Sequence, residues 1–219
     1  TSLAAVACPH IVAAAVVEAP APSANAEARP ENWPPRSATV IPDPATERRV
    51  DELLSAMSLE QKVGQIIQAD IASATPDDVY RYHLGSVLNG GNSDPGGRYN
   101  APAKDWLAAA DAFYAASMKP NGKLPRIPVI WGSDAVHGHN NVVGATLFPH
   151  NIGLGAARNP DLVRRIGGAT AIEMRVTGLD WTFAPTLAVV RDDRWGRTYE
   201  GFGETPEIAT SYAAPLIEG

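Results

Sequence analysis

The sequence is poor in the residues that staple or metallate small proteins. It has one cysteine, Cys8, in 219 residues. A single thiol excludes an intrachain disulfide framework and a multi-cysteine zinc or iron–sulfur site. No apolar run reaches the roughly 18 residues, free of charge and proline, that a membrane-spanning helix needs. No long Lys/Arg run or basic stripe is present, and the net charge is −6. That balance argues against binding a nucleic-acid phosphate backbone. The pairs Gly90-Gly91 and Gly96-Gly97 lack the strand–loop–helix context of a phosphate loop. What remains is 45% hydrophobic and 19% charged residues, enough to bury a core in one domain, or in one domain with a tail.

The two ends differ from the middle. Residues 3–17 are small and apolar, and 18–35 are rich in Pro, Ala and Ser. Residues 1–35 therefore read as the remnant of a secretory signal followed by an extended linker. Ala24-Asn25-Ala26 offers a cleavage site of the A-x-A type. Cys8 follows Ala5-Val6-Ala7 and fits a lipoprotein signal poorly, because Leu usually stands at the preceding position. Export to the periplasm or medium is the expectation. The chain stops at Glu218-Gly219, directly after a predicted helix, and truncation at both ends is expected. Residues 36–219 form the expected folded part.

Within it, Asp43-Pro44 signals a helix start. Val50, Leu53, Leu54 and Met57 recur at helical spacing. Ser58-Leu-Glu-Gln61 predicts a capping box opening a second helix that contains Val63, Ile66 and Ile67. Strands are predicted at Gly85–Leu88, Pro125–Trp131 and Leu179–Ala184, with an apolar continuation from Leu187 to Val190. Helices are predicted at 103–118, from Asn159-Pro160 to a left-handed cap at Gly178, and at 206–218. The stripe Leu162, Ile166, Ala169, Ile172 and Val176 marks the expected buried face of the middle one. Strands alternating with helices predict an α/β fold of about three parallel βα units. That is either a small open α/β domain or the first part of a (β/α)8 barrel.

In such folds chemistry gathers on loops after the C-terminal ends of strands. One such loop is Trp131-Gly-Ser-Asp134-Ala-Val-His137-Gly-His139-Asn140-Asn141. Asp134 could accept hydrogen bonds from two neighbouring hydroxyls or simply cap a turn, and the residues leave both readings open. His137 and His139 could begin a metal site, but one needs further ligands. His10, His83 and His150 are the other histidines, and none is predicted at the end of another strand. The second loop, Val190 to Glu204, is dense in charge. Arg194 and Arg197 can pair with Asp192, Asp193, Glu200 or Glu204, leaving one or two groups for a ligand. Glu173 and Arg175 are expected on a helix surface, and Trp33, Trp106 and Trp181 in a core or interface.

Four segments carry a resemblance. They are Val50 to Gln65, Ile127 to Asn140, Ala145 to Gly155 and Arg191 to Glu200. In this order they resemble the N-terminal barrel domain of family 3 glycoside hydrolases, in the branch of exo-acting β-glucosidases and 1,3/1,4-β-glucanases. The resemblance spans roughly residues 43–219 and implies the N-terminal portion of a (β/α)8 barrel. It implies a retaining reaction on β-glucosidic bonds that releases glucose from non-reducing ends of β-glucans or cello-oligosaccharides. That mechanism needs two carboxyl groups roughly 5 Å apart. The family takes its nucleophile Asp from a later barrel strand and its acid/base Glu from a following domain, and a Lys-His pair that grips the sugar also comes later. No catalytic residue, metal or cofactor is therefore implied for this chain. Asp134 and Arg197 would bind hydroxyls of the terminal glucose, with His137 a weaker candidate. The chain alone is expected to be inactive, and its open sheet edges to favour aggregation. A carbohydrate is the implied partner. The alternatives are a non-catalytic sugar-binding module and a metal-dependent hydrolase using His137 and His139. One departure is Glu204-Thr205, where the family usually has Glu-Asp.

Overall fold

A computed structural model describes residues 43–91 and 93–219, and Asp43–Gly219 forms one compact unit. The signal and linker, with Cys8, His10 and Trp33, lie outside the described residues. Two helices come first, α1 (Pro44–Ala56) and α2 (Leu59–Gln65). The remainder is β1 (Gln68–Asp70), α3 (Pro76–Tyr82), β2 (Ser86–Asn89), α4 (Ala103–Ser117), β3 (Ile130–Ser133), α5 (Asn151–Ala157), α6 (Pro160–Val176), β4 (Trp181–Thr182) and α7 (Pro206–Glu218). The four strands are parallel and stand in the order β1-β2-β3-β4. The α/β reading of a partial barrel is borne out, with one strand more than the sequence predicts.

The extra strand is β1. Gln68-Ala-Asp70 is too short and polar for a period-2 signal. It exists because its backbone pairs with β2, Gln68 opposite Ser86 and Asp70 opposite Leu88. That pairing takes Ile66 and Ile67 out of α2, which ends at Gln65. The α2 start is a cap without the reciprocal half of a box. Ser58 accepts from the Gln61 N–H, but the Gln61 side chain donates to the Pro125 carbonyl at 2.7 Å. The full capping box occurs at α3, between Thr75 and Asp78. The third strand begins later than predicted because Pro125 and Pro128 lack the N–H a ladder needs.

Register sorts the strand residues into two faces. Ala69, Val87 and Trp131 are paired neighbours, and so are Asn89, Ser133 and Thr182. Val87 and Trp131 pack with Trp106 and Phe113 of α4, with Leu179 and with Met174 of α6. Full burial of such a side chain contributes about 1.5–3 kcal/mol. The opposite row is Asp70, Leu88, Gly132 and Trp181. A Cβ on Gly132 would lie 2.6 Å from the Phe183 ring and 3.0 Å from Trp181. Glycine there lets those two rings lie edge to face at 5.0 Å across the sheet. This face is largely uncovered: Ile130, Trp181 and Phe183 are 44%, 41% and 36% exposed.

Two helix faces differ from expectation. In α6 the buried residues are Val163, Ile166, Thr170 and Met174. Ile172 and Val176 are 67% and 62% exposed. The helix is rotated so that Met174 meets the β3 core while Val163 and Ile166 meet Phe202 and Tyr212. The short helix α5 is absent from the sequence prediction, since Asn151-Ile-Gly-Leu-Gly155 carries two helix-weakening glycines. It is held by packing. A Cβ on Gly155 would fall 1.6 Å from the Phe202 carbonyl oxygen, so only glycine admits this contact.

Thr205 sits at the N-cap of α7 and its side chain makes no capping hydrogen bond. Asp, a stronger N-cap than Thr, would accept from the first-turn N–H groups. Thr205→Asp is expected to stabilise the chain by about 0.5–1 kcal/mol, raising the melting temperature by roughly 2–4 °C in a thermal denaturation monitored by circular dichroism.

Candidate sugar site at the strand ends

The sheet delivers its polar residues at one end. Trp131 donates its indole N–H to Asn89 Oδ1 at 2.9 Å, and Asn89 Nδ2 donates to Ser133 Oγ at 3.1 Å. All three residues are buried. Asp134 follows Ser133 at once, and its carbonyl accepts from the Thr182 hydroxyl of β4 at 3.0 Å. Ala135 then turns the chain at φ 40°, a left-handed conformation that costs a non-glycine residue about 1 kcal/mol or more. Among the described residues, no side-chain hydrogen bond engages the Asp134 carboxylate.

Arg197 comes from the loop after β4. Its Nε and Nη2 donate to the two carboxylate oxygens of Glu200 at 2.8 and 2.6 Å. This bidentate pair holds the Arg197 guanidinium above its ordinary range, and it holds the Glu200 carboxyl below its own. The Asp134 charge adds a smaller push in the same direction on Arg197. Asp134 and Arg197 are 63 residues apart in sequence, and no hydrogen bond or ion pair joins them. A guanidinium has five N–H donors, and two are used here. Arg194 pairs with Asp192 within the same loop, as the charge pattern allowed.

The helix α5 bridges these two loops. Asn151 donates from Nδ2 to the Glu200 carbonyl at 2.8 Å. His150, at the N-cap of α5, stacks on His137 with ring centroids 4.1 Å apart and meets the Tyr199 ring edge-on at 4.5 Å. His137 Nδ1 lies 3.0 Å from the Phe148 carbonyl, which requires the ring to donate there. Burial, followed by the proximity of His137, lowers the His150 pKa. Sequence reasoning passed over His150 because it follows no strand. Only the fold of residues 138–149 brings it beside His137. Glu173 does more than face solvent: both its oxygens accept from the Thr146 N–H at 3.0 Å and hold that same loop.

His139 belongs to the core. It is fully buried and edge-on to Trp106 at 6.0 Å. Its Nε2 lies 2.9 Å from Thr177 Oγ1, whose hydroxyl is within reach of the Met174 carbonyl at 2.8 Å. A hydroxyl donating to that carbonyl must accept from His139, so the ring carries its proton on Nε2. Its Nδ1 is then an unpaired buried acceptor. Trp106 is buried as expected, whereas Trp181 is partly exposed. Among the described residues no group of three or more His, Cys, Asp or Glu side chains is arranged to hold a metal ion. No described helix is long and apolar enough to cross a membrane.

Three comparisons with known proteins agree. Residues 58–219 match the profile described as the glycosyl hydrolase family 3 N terminal domain. A lysosomal beta glucosidase of Dictyostelium discoideum is 34% identical over 78% of this chain and 22% of its own length. A periplasmic beta-glucosidase of Salmonella typhimurium is 32% identical over 77% of the chain and 20% of its own length. An exo-1,3/1,4-beta-glucanase from a Pseudoalteromonas species superposes with a TM-score of 0.76 at 53% identity, over 80% of this chain and 22% of that one. The chain thus spans about a fifth of the length of these relatives.

Burial lowers the His139 pKa from 6.5, partly opposed by the charge of Glu173. The folded state therefore resists a proton that the unfolded chain accepts. This contribution is intact above the unfolded value and is lost as pH falls below it, down to the folded value. Denaturant melts should show stability falling below about pH 6.5, with His139 contributing a slope of at most about 1.4 kcal/mol per pH unit. His139→Asn should have a shallower slope; an unchanged slope would contradict a neutral buried imidazole.

Proposed function

The chain belongs to glycosyl hydrolase family 3, and from that premise we propose that it carries the sugar-gripping half of an exo-acting β-glucosidase site. Asp134 and Arg197 bind hydroxyls of the terminal glucose of a β-glucan or cello-oligosaccharide, with His137 at the edge of the same site. The observation that carries this reading is a carboxylate with no side-chain hydrogen bond at the end of β3, on the loop that α5 and the His137–His150–Tyr199 contacts tie to the loop of a guanidinium fixed by Glu200. Asp134 offers acceptors. Arg197, held on one side by Glu200, keeps three N–H donors for a ligand. A ring bearing adjacent hydroxyls, each both donor and acceptor, complements that set.

We further infer that the reaction this site serves is retaining hydrolysis of a β-glucosidic bond. Its chemistry needs a nucleophile and an acid/base roughly 5 Å apart. Neither role falls to this chain's residues, so the 219-residue chain binds without turning over. The contribution of Asp134 and Arg197 is to fix the ring and to strengthen their hydrogen bonds as the oxocarbenium-like transition state forms. The order of segments at residues 3–35 supports export, in keeping with a relative named as periplasmic.

Titration with methyl β-D-glucopyranoside, followed by chemical-shift changes, checks the assignment. Saturable binding is expected. Asp134→Ala and Arg197→Ala should each weaken it roughly tenfold or more, as expected for losing hydrogen bonds to a charged group. Binding that survives both substitutions would remove these residues from the site.

A further inference from the structure

We propose that His150 is a positioning residue: its neutral imidazole locks the Arg197 loop against the Asp134 loop and leaves Glu200 to Arg197 alone. The inference rests on the sugar-site reading for its purpose, but its geometry stands apart from it. The two groups assigned to the sugar come from different loops, and neither bonds the other. Their spacing is set by what lies between the loops. That filling is an aromatic stack, His137 from the β3 loop, His150 from the start of α5 and Tyr199 from the β4 loop, with centroid separations of 4.1 and 4.5 Å. Behind it, Asn151 ties α5 to the Glu200 carbonyl, and Gly155 lets α5 meet Phe202 with no gap. At the start of α5 the orphaned atoms are His150 Nδ1 and Asn151 Oδ1. The helix is thus placed there by packing at some polar cost.

The groups facing His150 decide what a proton would do. They are His137 on one side, the Tyr199 ring and backbone on the other, and the Glu200 carboxylate, which acts on it through charge. A protonated His150 would press a positive charge on the stacked His137. It would also become a second cation for Glu200. Arg197 would then share its only side-chain anchor among the described residues with a competitor, and the guanidinium would lose its fixed orientation. A neutral His150 avoids both effects. Arg197 should therefore be fixed near neutral pH and released in acid, below the ordinary imidazole range because burial lowers the His150 pKa.

The direct readout is the Arg197 Nε–H resonance of the 15N-labelled chain, identified by its loss in Arg197→Lys. It should be sharp and slowly exchanging at about pH 7.5 and lost by about pH 4.5, below the lowered His150 titration and with the Glu200 carboxyl still held ionised by Arg197. Guanidinium exchange with water is base-catalysed and slows in acid, so loss on acidification reports opening of the ion pair. His150→Phe keeps a ring against Tyr199 and cannot titrate, and His150→Gln serves if the larger ring disturbs folding. In either variant the signal should persist at about pH 4.5. A wild-type signal that survives acidification, or variants that lose it over the same range, would overturn the proposal. A parallel titration with methyl β-D-glucopyranoside separates the two readings. Affinity should fall at least tenfold between those pH values in the wild type and much less in the variants. If no sugar binds while the Arg197 signal behaves as described, the sugar assignment fails and the positioning role stands.

Discussion

The hydrogen bond from the Trp131 indole to Asn89 is the constraint on which the functional end of the molecule depends. Trp131 is packed between Trp106 and Phe113 of α4, at centroid distances of 5.9 and 5.5 Å. An indole buried that deeply needs a partner for its N–H. Asn89 supplies one from the last residue of β2 and passes its own N–H to Ser133, the last residue of β3. The core therefore fixes not only that β2 and β3 pair but where both strands stop. Asp134 begins the loop beyond that point, and its carbonyl is tied to Thr182 on β4. Two strand ends are brought level by one buried polar chain, a separate part-buried bond ties the next residue to β4, and the Asp134 carboxylate has no side-chain hydrogen bond among the described residues.

The second half of the site is assembled by α5 and not by the sheet. β4 contributes only two residues to the ladder, too few to direct the long loop after it. That loop is positioned instead by contact with α5. Gly155 gives the close approach to Phe202, Asn151 gives a hydrogen bond, and His150 gives a stacking surface. The opposite face of the sheet is less covered. Gly132 makes room for Trp181 and Phe183, whose rings remain partly exposed.

Most of the architecture is legible in the sequence because long helices announce themselves. Asp43-Pro44, Asn159-Pro160 and the Trp106–Phe113 face each combine a cap or a periodic stripe with enough length to be unambiguous. The elements that escape are short. Three residues of β1 and seven each of α3 and α5 are too short to hold a legible period; tertiary contacts create β1 and α5, whereas α3 has a local start signal, the Thr75–Asp78 capping box, that the periodic pattern does not reveal. The α6 stripe misleads because Ile172 and Val176 are as apolar as Val163 and Met174. Periodicity alone cannot choose between faces about one residue apart. In the site, Asp134 stands out by its position after a strand, with a turn cap as the open alternative, and only the family resemblance singles Arg197 out of its charged loop; neither signal shows how the two loops are held together. His150 is invisible as a partner of His137, since a loop of non-repeating dihedral angles separates them. Gly138, at φ 100° with a Cβ position 2.1 Å from the Thr146 carbonyl oxygen, is one reason that loop can close.

The central claim is that Asp134 and Arg197, brought from neighbouring strand ends, form one grip on one sugar ring. A crystal structure of the chain soaked with glucose tests it most directly. The account predicts a single ordered ring with one face of hydroxyls shared between the Asp134 carboxylate and the three N–H groups that Arg197 does not give to Glu200. Glucose bound elsewhere, or bound to one of the two residues with the other turned away, would contradict it.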